Sequence, residues 1–499
     1  MDIASASYIG RKGYTILKSS LNEQEYKKIK TELYLKPVIS GQNYGMVKSN
    51  PFPVYRENEK KIYVPRFYGL KEYGIPSKID LPEGFDINIE FVKSLRDYQE
   101  KIIDVYLKHV TKDDYNKGGI LEVPCGRGKT VLALKIISIL KKKTLILVHK
   151  EFLMNQWIER IEEFLDPSTR VGKIQANVCD IEDKDIVIGM IQTMYNKEFP
   201  QEVYANFGLT IIDEVHRIGS EEFSRTLLKT ISPYMLGISA TVERKDKLTK
   251  LLYMFIGPKI YSEQRKNEEV VCVRSIEFKS NDPLFNEVEY DYRGQTKYST
   301  MISKLCENGH RSDFIVRVIG DLLQENPDGQ IMVLAHNKNL LKYIHDKIVH
   351  LELDSVGYYI GGMKQKALQE TETKKIVIAT YAMAAEALDI KTLSRLVMAT
   401  PKTDITQSVG RILRMKHENP VIVDIVDGHD CFQNQWKQRK RFYKKCNYRI
   451  RSIDSAKYTN MNIDWSSDKS WLWTFEPNQD VKEEKELPAK CLIDFSKLK

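Results

Sequence analysis

The sequence predicts an α/β fold of two tandem parallel-sheet lobes, with a small mixed α+β domain before them and a basic C-terminal extension after them. Three observations carry this reading. At 499 residues the chain exceeds what one hydrophobic core serves, because single cores stop growing beyond about 250–300 residues. From Gly118 onward, short apolar runs alternate with helical segments, the pattern of a parallel sheet covered by helices. After a more polar, irregular stretch from Tyr261 to Arg311, the same alternation resumes at Gln330.

Residues 1–90 are rich in Tyr, Lys and Pro, with strand-like runs such as Lys61 to Tyr68 (KIYVPRFY) between turn signals, and read as a small accessory domain. Residues 91–262 form the first lobe. Its expected strands are GGILEV (Gly118 to Val123), TLILV (Thr144 to Val148), DIVIGM (Asp185 to Met190), LTIID (Leu209 to Asp213) and LGISA (Leu236 to Ala240). Residues 263–445 form the second. Its expected strands are QIMVLAH (Gln330 to His336), SVGYYIGG (Ser355 to Gly362), KKIVIATY (Lys374 to Tyr381), SRLVMAT (Ser394 to Thr400) and PVIVDIVD (Pro420 to Asp427), with NKNLLKYIHDKIVHL (Asn337 to Leu351) as a helix. Residues 446–499 read as a polar tail ending near an acidic VKEEKE run.

A formal charge of +9, from 77 Lys and Arg against 68 Asp and Glu, favours a polyanionic partner. The seven cysteines are scattered, with no C-x-x-C pair, which argues against a disulfide framework or zinc ribbon. Cys306 and His310 have ligand-like spacing but no second half nearby, so no structural metal is expected. The N-terminal MDIASASYIGRKGYTI lacks the apolar run of a signal peptide, and no stretch has the length to span a bilayer. The expectation is a soluble intracellular protein with no membrane partner.

Chemistry concentrates in three places. The turn Val123, Pro124, Cys125, Gly126, Arg127, Gly128, Lys129, Thr130 follows a strand and opens the helix TVLALKIISIL. Backbone N–H groups and a helix N-terminus there suit a phosphate chain. Lys129 would reach the β- and γ-phosphates, Thr130 would offer a hydroxyl to Mg²⁺, and Gly126 and Gly128 would let the backbone approach. Val123 stands where the strict pattern asks for glycine. The second place is LTIIDEVH, where Asp213 and Glu214 end an apolar strand. One carboxylate suits the metal, the other the attacking water. His216, two residues on, suits contact with both the nucleotide and the SAT segment Ser239, Ala240, Thr241. The third is QSVGRILR, in which Gln407 leads to Arg411 and Arg414 on one helical face, placed to neutralise charge on a γ-phosphate.

In order, LRDYQ (Leu95 to Gln99), PCGRGKT, DEVH, SAT, ATYAMAAEALDI (Ala379 to Ile390) and QSVGRILR resemble the motifs of superfamily 2 helicases. They are most similar to the branch containing XPB, the phage helicase UvsW and the type I and III restriction motors. The GYYIGGMK segment and the run KKIVIATYAMAAEALDIKTL (Lys374 to Leu393) are similar to helicases of large double-stranded DNA viruses, including relatives of the poxvirus transcript-release helicase. The resemblance implies two RecA-like lobes and an ATP-driven enzyme acting on DNA or RNA, with ATP and Mg²⁺ as cofactors. It implies that Gln99 reads adenine, that Thr130 and Asp213 serve the metal, and that Arg411 and Arg414 are arginine fingers. Thr193 and Thr380 would touch the nucleic-acid backbone, and Asp389 would lie near the nucleotide. Ala387 stands where many relatives have glycine. DEVH is neither DEAD nor DEAH, so RNA versus DNA stays open.

With the phosphate loop in one lobe and the arginines in the other, a complete ATP site requires lobe closure, and closure would move a strand gripped through its phosphates. The stretch Trp436 to Arg451 (WKQRKRFYKKCNYRIR) is basic, aromatic and free of acids. Lys437, Arg439, Lys440 and Arg441 either contact nucleic acid or line a solvated helix whose aromatics pack on the second lobe. The leading expectation is a helicase or translocase. A transcript-releasing or protein-displacing remodeller, with transcription machinery as a partner, is the nearest alternative. An ATPase-dead binding module and a restriction motor stand further off. A viral chain would act in the host cytoplasm or be packaged in the virion.

Overall fold

The computed structural model describes residues 2–37, 50–112, 115–124, 126–215, 220–243, 248–263, 271–386, 390, 392–409, 417, 419–461, 463, 465 and 468–477. The chain divides into two compact units at residues 264 and 265. Each is built on its own eight-stranded, mostly parallel sheet.

In the first unit the sheet order is Val178–Cys179, Val171–Gln175, Ile186–Met190, Thr144–Val148, Leu209–Asp213, Tyr234–Ser239, Gly118–Glu122 and Lys259–Ser262. All neighbours pair in parallel except the Val178–Cys179 edge. The central strands are buried on both faces, which is why they read as unbroken apolar runs. Leu121, Ile146, Ile188, Ile211 and Ile238 face one core, which includes Trp157 and Ile161. Ile120, Leu145, Val187 and Ile212 face the other. Residues before the first lobe cover that second face. Their five-stranded sheet, Arg56–Glu57, Lys61–Val64, Gly13–Leu17, Ser7–Gly10 and Lys78–Asp80, contributes Tyr14, Ile16 and Ile62 to the same core, joined by Phe67. Arg66, 4% exposed, donates to the carbonyls of Ser232 and Pro233 at 2.9 Å each. The N-terminal segment is therefore fused to the first lobe by a shared core. The run Lys61 to Tyr68 is a strand only to Val64. Pro65 then caps the helix Arg66–Tyr73, because proline cannot donate to the ladder but suits a helix start.

In the second unit the order is Val356–Tyr359, Ile376–Thr380, Gln330–Ala335, Leu393–Met398, Val421–Asp427, Cys272–Phe278, Arg449–Asp454 and Leu472–Phe475. Only the last strand pairs antiparallel. Two sequence expectations are corrected here. Residues 449–475, expected in a polar tail, supply two strands, and the irregular stretch after Tyr261 holds Cys272–Phe278 deep in the sheet, between Val421–Asp427 and Arg449–Asp454. Buried ion pairs make this possible. Arg274 pairs bidentately with Glu325 at 2.7 Å and lies over Trp465. Arg311 and Asp427, both fully buried, pair at 2.6 and 2.8 Å. Among the described residues no helix is long and apolar enough to cross a membrane.

Candidate functional site

In an open parallel sheet ligands bind at the carboxyl ends of the strands, and the predicted first-unit motifs gather there. The strand Gly118–Glu122 runs into the phosphate loop, where Gly126 and Gly128 have φ of 84° and 79°. That is left-handed backbone which only glycine adopts at low cost. A Cβ on Gly128 would also come within 2.5 Å of Gln99 Nε2. Gly128 is the N-cap of the helix Lys129–Leu140, with no side-chain cap hydrogen bond, and a helix N-terminus of this kind suits an anionic ligand. Val123 does not obstruct the loop. Its side chain is fully buried in the core, and its N–H donates to Ser239 O at 2.8 Å.

Lys129 Nζ donates to Glu214 Oε1 at 2.7 Å, joining the loop to the end of the strand Leu209–Asp213. Glu214 has φ 49°, a costly conformation for a non-glycine residue and one that clusters at functional sites. Ser239 Oγ donates to Thr241 O at 2.6 Å and lies 3.5 Å from Glu214 Oε2, so the SAT segment meets the acidic pair directly. Asp213 is 8% exposed and accepts from Trp157 Nε1 at 3.0 Å. Burial, with the Glu214 charge beside it, pushes Asp213 above the usual carboxylate range, against the pull of Lys129 and the Trp157 hydrogen bond.

Gln99 is engaged by protein at both ends of its amide. Oε1 accepts from Arg96 N at 3.0 Å, and Nε2 donates to Arg127 O at 3.3 Å. Arg127 stacks 3.8 Å from the Tyr98 ring centroid and pairs with Glu263 through two nitrogens. A further joint is Glu122. It accepts from Val242 N at 2.8 Å, Lys259 Nζ at 2.9 Å and Ser262 Oγ at 2.6 Å, binding the SAT loop to the strand before the phosphate loop. Local sequence gave no signal for Trp157, Glu122 or Glu263, because each acts through partners 50 or more residues away.

Thr193, in the helix Ile191–Asn196 that follows the strand Ile186–Met190, accepts from Ala176 N at 3.0 Å. Thr380, ending a strand of the second unit, lies 3.4 Å from Met383 N. Arg439, expected at nucleic acid, is corrected. It is fully buried and donates to both carboxylate oxygens of Asp424 at 2.7 and 2.9 Å and to Lys402 O at 2.9 Å. Tyr443 and Tyr448 are buried too, with Tyr443 OH donating to Asp424 at 3.0 Å. The helix Asp430–Lys445 thus packs its aromatics on the second sheet. Lys437 and Arg441 are exposed and Lys440 half-buried. Burial and Lys444 hold the Lys440 amine below its usual range. Cys125, His216, Asp389, Arg411, Arg414 and the side chain of Gln407 lie outside the described residues.

A phosphate loop facing an acidic strand end defines a nucleotide-hydrolysing class. Residues 92–244 match the family described as type III restriction enzyme, res subunit. The chain is 32% identical to an inferred ATP-dependent RNA helicase of Acanthamoeba polyphaga mimivirus, over 98% of this chain and 94% of that one. It is 26% identical to the DNA 3'-5' translocase XPB2 of Sulfurisphaera tokodaii, over 72% of this chain and 89% of that one. A fragment of an HsdR subunit of a type I restriction enzyme from Vibrio vulnificus shares the fold, with TM-score 0.52 and 16% identity, over 73% of this chain and 70% of that one. The chain belongs to helicase superfamily 2, with the tandem RecA-like lobes of that family, and is an ATP-dependent helicase or translocase acting on nucleic acid.

Proposed function

We propose that Lys129, Thr130, Asp213 and Glu214 hydrolyse ATP with Mg²⁺ to drive movement along DNA or RNA gripped chiefly through its phosphates. The Lys129–Glu214 contact carries this reading, since it brings the phosphate grip and the water-activating carboxylate to one point. The donor set fits the cofactor. Left-handed glycines, a helix N-terminus and one lysine suit a triphosphate, while the buried carboxylate of Asp213 suits a small hard cation. Thr130 and Asp213 would hold Mg²⁺, which when bound neutralises charge on the phosphates.

Lys129 binds and orients the terminal phosphates. Glu214 takes a proton from water at its carboxylate, and its strained backbone holds it in that position. Ser239 reports the state of Glu214 to the SAT loop, and Glu122 ties that loop to the strand before the phosphate grip. Arg411 and Arg414 neutralise charge developing on the γ-phosphate, with Gln407, His216 and Asp389 supporting the nucleotide. The adenine role of Gln99 requires its amide to exchange Arg127 O for the base. Thr193, Thr380, Lys437 and Arg441 contact the nucleic-acid backbone, giving salt-dependent binding with little base preference.

Lys129→Ala tests the site. Nucleic-acid-stimulated ATP hydrolysis should fall at least a hundredfold with the melting temperature little changed, and unchanged hydrolysis would remove the assignment. Strand separation on a naked duplex distinguishes a helicase from a remodeller, which would hydrolyse ATP without unwinding.

A further inference from the structure

We propose that Trp157 is the positioning residue for the metal-side carboxylate, fixing Asp213 so that Mg²⁺ is received in one geometry; this rests on the ATP-site reading above. Trp157 lies on the helix Glu151–Phe164, next in the chain after the strand Thr144–Val148. At 2% exposure its ring is packed in the same core as Leu153, Ile161, Ile188 and Ile211. Packing alone would be served by Phe or Leu. The indole is distinguished by its single N–H, which donates to Asp213 Oδ2 at 3.0 Å, 56 residues away in sequence.

That bond fixes the orientation of the carboxylate. A carboxylate ending a strand can rotate about its last side-chain torsion, which is broad and weakly defined. A buried donor anchored in a rigid core selects one orientation. Partners that orient a ligand in this way typically contribute about ten- to a hundredfold in metal affinity.

The helix has a second connection. It begins directly after His149 and Lys150, and His149 O accepts from Gln192 Nε2 at 3.0 Å. Gln192 adjoins Thr193, a proposed backbone contact. Trp157 therefore lies on a covalent and hydrogen-bonded route between the helix Ile191–Asn196, which carries Thr193, and Asp213.

The test uses the full chain with Trp157→Phe and, as an isostere, the benzothienylalanine analogue at 157, in which sulfur replaces the N–H and packing is kept. Two quantities are read. One is the affinity of a fluorescent ATP analogue with Mg²⁺ and with EDTA. The other is the Mg²⁺ concentration giving half-maximal hydrolysis, set against the KM for ATP at saturating Mg²⁺. Both variants should need about tenfold more Mg²⁺ and lose most of the Mg²⁺-dependent gain in nucleotide affinity, while affinity in EDTA and the KM for ATP stay near wild type. An isostere with wild-type Mg²⁺ dependence would overturn the proposal, even if Trp157→Phe were merely unstable. Lys129→Ala in parallel separates the two failures. If it leaves hydrolysis intact, the ATP-site reading is wrong; if it abolishes hydrolysis and the isostere has no effect, only the role of Trp157 is wrong.

Discussion

Replacing Arg439 by methionine should destabilise the second unit and leave nucleic-acid affinity per folded molecule unchanged. Arg439 is fully buried and makes three hydrogen bonds, two to Asp424 and one to Lys402 O. Methionine fills most of the volume but leaves Asp424 buried with only Tyr443 OH as a side-chain donor among the described residues. Removing one partner of a buried pair costs about 3–5 kcal/mol, mostly from the charge left behind. With a urea slope of about 2–3 kcal/mol per molar for a unit of this size, the unfolding midpoint should fall by about 1–2 M. Trp436, Trp465, Trp471 and Trp473, four of the five tryptophans, belong to the second unit, so intrinsic fluorescence reports chiefly on it. Adding Asp424→Leu should restore part of the loss, because the orphaned charge goes with it. An unchanged midpoint accompanied by weaker nucleic-acid binding would refute the buried-pair reasoning and return Arg439 to the surface role expected from sequence.

Arg441→Ala should do the opposite, leaving the midpoint in place and lowering the salt dependence of nucleic-acid binding by about one phosphate contact in a titration against salt. Gly128→Ala places a Cβ 2.5 Å from Gln99 Nε2 on backbone with φ 79°, and should raise the KM for ATP about tenfold. Glu57 gives a pH signature. Burial opposes its ionisation, but hydrogen bonds from Lys18, Tyr26 and Lys30 outweigh it and bring the carboxyl down to about 2. The stability that Glu57 adds over Glu57→Gln should therefore be complete above its ordinary value of 4.5 and vanish as pH falls through about 2, read by paired urea titrations across that range.

Ten strands were legible because apolar runs bounded by turn residues need no long-range knowledge, and the phosphate loop and acidic pair followed from where those strands end. What escaped was held by distant partners. Cys272–Phe278 carries Arg274 and Glu277 and looked irregular until Arg274 met Glu325, 51 residues on. Arg449–Asp454 reads as part of a polar tail because its partners are distant: Arg451 stacks on Trp473 and donates to Trp465 O, contacts that hide its charge. The basic helix misled in the same way. Lys437 and Arg441 are exposed, yet Arg439 between them points inward to Asp424, a choice set by helix phase against a sheet whose buried acid is 15 residues earlier. In the proposed ATP site, Lys129, Asp213 and Glu214 are readable from motif spacing, whereas Trp157 follows the spacing of an ordinary core residue and is distinguishable only by its hydrogen bond.

ATP hydrolysis by the full chain with Mg²⁺, measured alone and with single-stranded, duplex and branched DNA, RNA and hybrids, tests the central claim most directly. At least one nucleic acid should stimulate hydrolysis severalfold, and Glu214→Gln should abolish the stimulated rate while nucleotide still binds. Hydrolysis that no nucleic acid stimulates, or that survives Glu214→Gln, would contradict it.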